Sequence, residues 1–179
     1  MKRRIRISLT TSGSIEKGIK ELEAYKLWLR ERMVVFKQKL IEHGIDTAES
    51  NCGEYKGMIV FKPKDVDEDV SWLIAFDGEK IVREWKYKGG TKTAVVSPLL
   101  MAEFGSGWLA KVLSNIAGVG QGTFPGQKHA FDPHGWWWTT PDGERHHSIG
   151  EAPTFPMYAA SMAMLFDADK IAREVFKRG

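Results

Sequence analysis

The chain has 179 residues, with 42% hydrophobic and 27% charged, a balance that excludes a wholly disordered chain or a collagen-like fibre. Its 26 basic and 23 acidic residues leave a net charge of +3, far short of the excess carried by a dedicated nucleic-acid binder. The single cysteine, Cys52, excludes an intrachain disulfide and a thiolate metal cluster, and no apolar run approaches the ~20 residues needed to span a bilayer.

The start, Met1-Lys2-Arg3-Arg4-Ile5-Arg6, is basic and lacks the apolar stretch of a secretion signal. Arg4 to Leu9 alternates charged and apolar residues and predicts a short strand. From Ile15 the period changes to spacings of four and three: Ile15, Ile19, Leu22, Leu29, Met33, Phe36 and Leu40, with Lys26 the one polar member. This predicts an amphipathic helix that ends at His43-Gly44, glycine being suited to a left-handed C-cap. Packing into the chain's own core is the ordinary reading of such a stripe, and a coiled-coil seam with a neighbouring subunit is the alternative.

Tyr55 to Phe61 reads as a strand that stops at Pro63, and Lys64 to Asp69 as a solvated acidic turn. Ser71 to Phe76 and Lys80 to Tyr87 are strand-like runs joined through Asp77-Gly78, which predicts a hairpin closed by Gly89-Gly90. Thr91 to Phe104 is apolar and reads as extended, though Pro98 argues against a central strand. Leu109 to Ile116 predicts one or two helical turns. Residues 118–134 hold Gly118, Gly120, Gly122, Pro125, Gly126 and Pro133 without any period, the mark of a long binding loop. Trp136 to Thr140 and Arg145 to His147, around Asp142-Gly143, read as a second hairpin. Pro156 to Phe176 predicts the closing helix, with Met157, Ser161, Met164, Ala168, Ile171 and Val175 on one face. One α+β domain over residues 1–179 follows, its long N-terminal and C-terminal helices packed on a mostly antiparallel sheet.

Signatures of chemistry are scarce. His129, His134, His146 and His147 cluster in sequence, but adjacent histidines in a strand point to opposite faces and cannot share an ion. The glycines at 118, 120 and 122 lack the Gly-Lys-Ser/Thr context of a phosphate loop, and Gly105-Ser106-Gly107 is no nucleophile elbow. Cys52 reads as a small core residue. No catalytic residue, metal or cofactor is expected. Trp136, Trp137 and Trp138 must alternate faces in a strand. A sheet packed on one side and touching a partner on the other accounts for all three; stacking on single-stranded nucleic acid is the alternative.

The order of motifs carries a resemblance. Ala102-Glu103-Phe104-Gly105-Ser106-Gly107, a glycine/proline-rich loop, His134-Gly135-Trp136-Trp137-Trp138, Asp142-Gly143-Glu144 and a Gly150-x-x-Pro153-x-x-Pro156-Met157-Tyr158 helix ending in Ile171 to Phe176 follow one another. Together they resemble the head–tail joining, tail-completion or neck proteins of long-tailed phages and prophages. Ser106 stands where that family usually has Thr, Trp138 where it has Tyr, and Phe155 where it has Arg. The resemblance covers residues 102–176 and implies a non-enzymatic minor virion protein. Such a protein assembles into a ring, of which a hexamer is one form, between head and tail. The implied partners are tail-tube, tail-terminator and head-connector proteins, with DNA passing through the lumen. The implied location is the virion neck, reached from the host cytoplasm during assembly. The residues expected at the interface are Glu103, Phe104, Gly105, Gly107, Phe124, Pro125, Trp136, Trp137 and Trp138. For Glu103 an exposed carboxylate and an intersubunit salt bridge stand as equal readings. Lys2, Arg3, Arg4 and Arg6 either face the DNA or form a solvated terminus.

Overall fold

The computed structural model describes residues 13–67, 70–87, 89–110 and 132–177. The predicted strand at 4–9, the helical turns after Ala110, most of the 118–134 loop with Phe124 and Pro125, and part of the acidic turn lie outside them. The fold is α+β, 50% helix and 24% strand, and every described strand pair is antiparallel. In chain order the elements are α1 (Ser14–Ser50), β1 (Ile59–Asp65), β2 (Ser71–Asp77), β3 (Ile81–Tyr87) and β4 (Gly90–Val96). These are followed by α2 (Pro98–Phe104), β5 (Trp136–Thr139), β6 (Arg145–Ser148) and α3 (Pro156–Val175). Among the described residues the strands pair as β1–β2, β3–β4 and β5–β6, giving three two-stranded sheets where a single, mostly antiparallel sheet was expected.

The chain divides into two compact units: residues 41–166, and residues 1–40 together with 167–179. The larger unit holds a core of Ala48, Cys52, Tyr55, Ile59, Phe61, Val96, Met101, Ala102 and Ala160. The Cys52 thiol is buried in it and donates to the Ala48 carbonyl, while desolvation pushes its pKa up, as befits a packing residue. In the smaller unit Val175 is buried, and the Phe176 ring meets Trp28 and Phe36 at centroid distances of 6.2 and 6.1 Å.

Helix α1 runs 37 residues and does not stop at Gly44. A Cβ built at Gly44 would sit 2.7 Å from Met164 Sδ and 3.2 Å from Leu73 Cδ2, so this glycine admits a close neighbour inside a continuing helix. The apolar stripe of α1 also departs from core packing. Ile15, Ile19, Leu22 and Met33 are each 50–51% exposed and Leu29 38%, while Phe36 and Leu40 at the far end of the stripe are half-buried.

Asp77-Gly78 does not close a hairpin. β2 pairs back onto β1, with Ile59 opposite Asp77, while β3 pairs onward to β4 through the turn at Gly89-Gly90. The Asp77 carboxylate is used instead to accept from Ser97 Oγ (2.8 Å) and from Leu99 N (3.0 Å) at the start of α2. Gly78 N and Glu79 N both donate to the Met58 carbonyl, 2.8 and 3.2 Å away, which turns the chain off the first sheet. β1 continues past Pro63, which a two-stranded sheet tolerates because each strand is an edge. The segment read as extended through Phe104 is strand only to Val96. Ser97 then caps α2 by accepting from Leu100 N (3.2 Å), and Pro98 stands in its first turn.

Asp77→Ala removes one orphan-donor partner from α2 and one from Ser97. We expect a loss of about 1–2 kcal/mol in urea unfolding, with the antiparallel pairings retained by circular dichroism.

Candidate functional site

The residues around α2 and the second hairpin meet at one corner. α2 ends where Gly105 N donates to Met101 O, 2.8 Å away, and the chain turns into an antiparallel exchange with residues 149–151. Ser106 N donates to Glu151 O (2.8 Å), Glu151 N to Ser106 O (3.1 Å), and Trp108 N to Ile149 O (2.9 Å). At Gly150, where φ is 103°, a Cβ would drive into the Ser106 carbonyl oxygen. At Gly107 it would fall 2.7 Å from Trp136 Cζ3, so the Trp136 ring lies directly over this backbone. Gly105, Gly107 and Trp136 are thus brought together as one packed corner.

Glu103 has a role inside the chain. Its carboxylate accepts from Met157 N (2.8 Å) and Tyr158 N (3.1 Å), satisfying two of the free donors in the first turn of α3. One residue earlier, the Ala102 carbonyl accepts from Thr154 N (2.8 Å) and Phe155 N (3.0 Å). Those bonds hold Phe155 at a φ of 55°, the one positive value among the described non-glycine residues. Phe104 is half-buried.

Glu151 ties this corner to the core. The buried Tyr55 hydroxyl donates to Glu151 Oε2, and Arg83 Nη2 lies 3.8 Å from Oε1. Burial, then the hydrogen bond to Glu151 and its charge, pushes the Tyr55 pKa well above the usual tyrosine value, so it remains a proton donor. Residue spacing could not reveal this contact, because the partners are 96 residues apart.

The hairpin presents two faces. In register, Trp136 opposes Ser148, Trp137 opposes His147, Trp138 opposes His146 and Thr139 opposes Arg145. Trp136 and Trp138 are half-buried, Trp138 stacking on His146 with centroids 4.5 Å apart. Trp137 points the other way and is 59% exposed. Its ring lies 4.6 Å from that of His147, and the Arg145 guanidinium carbon sits 4.5 Å from its centroid. His147 Nε2 donates to the His134 carbonyl at 2.7 Å, which engages that nitrogen and braces the hairpin's entry. At the turn, the Thr140 hydroxyl donates to Asp142 and holds that carboxyl below the ordinary range.

As the alternation expects, His146 and His147 lie on opposite faces. Among the described residues no group of three or more His, Cys, Asp or Glu side chains is placed to hold a metal ion. His129 lies outside the described residues. No family model matches this chain, and no curated protein or solved structure does either.

Gly150→Ala forces a Cβ against a backbone oxygen that cannot swing aside. A loss of at least about 2 kcal/mol is expected in thermal or urea unfolding. Tyr55 supplies a second test through pH. Its folded pKa is raised, so above about pH 10 the unfolded chain releases a proton that the folded chain keeps. Stability should therefore fall as pH rises beyond that point, and Tyr55→Phe should flatten the decline while weakening the protein at neutral pH.

Proposed function

We propose that this chain is a non-enzymatic structural protein of a phage or prophage virion. In this reading it belongs to the head–tail connector and acts by closing into a ring that contacts tail-tube, tail-terminator and connector proteins. The observation that carries the reading is Trp137: a large aromatic side chain held out to solvent by a hairpin whose other face is seated on Gly107. A rigid aromatic anchor of this kind loses little conformational entropy on docking and is the usual centre of a protein interface. Support also comes from the motif segments that carry the family resemblance. Ala102–Gly107 and Gly150–Tyr158 are joined by backbone bonds into one body, so their sequence order reflects a single structural unit. Ring subunits of this type make heterologous contacts, one face of a copy meeting a different face of the next.

Arg145, Trp137 and His147 also favour a second reading, binding of single-stranded nucleic acid by an accessory protein. Against it, Arg145 already occupies a face of the Trp137 ring, which an incoming base would have to displace.

Co-expression with the tail-tube and connector proteins of the same genome, followed by electron microscopy, tests the proposal. Rings containing this chain are expected, and Trp137→Ala should weaken the association about tenfold or more while leaving folding intact. Failure to join either partner would sink it. Nucleic-acid binding instead predicts oligonucleotide affinity that falls steeply with salt and disappears with the same substitution.

A further inference from the structure

We draw no further inference here: the strongest candidate, the outward face of the β1–β2 pair where Lys62 lies over the Phe76 ring and Trp72 is exposed, carries nothing because nothing in the structure shows what covers it, and with Asp65 and Asp67 at the same end of the pair as Lys64 its charge selects no partner.

Discussion

Between Ser106 and Gly150 two backbone segments run so close that no side chain fits in the gap, and the surrounding structure is arranged around that approach. The reciprocal bonds of Ser106 and Glu151 satisfy groups that would otherwise be buried without partners, since Ser106 itself is 2% exposed. Once this contact is made, Glu103 is delivered to the open end of α3 and Trp136 to the backbone of Gly107. Glu151 is carried to Tyr55 and Arg83. Substituting either glycine would disturb all of these together, because they share one backbone path.

That corner gives the hairpin its polarity. With Trp136 pinned on Gly107, the two-residue period of a strand sends Trp138 the same way and Trp137 outward. The histidines of β6 follow the same alternation, His146 under Trp138 and His147 beside Trp137. An outward tryptophan bordered by the Arg145 guanidinium and the His147 imidazole has an apolar body and a polar rim, the features on which the proposed protein contact rests. The same constraint that closes the corner thus produces the surface to which we assign contact with a partner.

Helix α1 has the opposite character. Between Ile15 and Met33 Gly18 is buried, while the regularly spaced Ile15, Ile19, Leu22 and Met33 are each 50–51% exposed.

Sequence periodicity sufficed for the α+β class, the two long helices, the hairpin of Trp136–Ser148 and the opposed directions of His146 and His147. Each of these depends on repeats of 3.6 or 2.0 residues, which are local and leave a pattern along the chain. Strand partnership was another matter: Asp77-Gly78 has the composition of a tight turn, but its carboxylate is drawn to Ser97 and Leu99, 20 and 22 residues away. The helix likewise passes through Gly44, because Met164 and Leu73 need the space a side chain would occupy. Glu103 as a cap for α3 and Tyr55 as donor to Glu151 were illegible for the same reason, since their partners lie 54 to 96 residues distant. What the amino-acid order determined by itself was every feature whose energy comes from neighbours along the chain. Which strands pair, which glycines are indispensable and which tryptophan faces outward were decided by tertiary structure, where close backbone approach and the satisfaction of buried donors outweigh local preference.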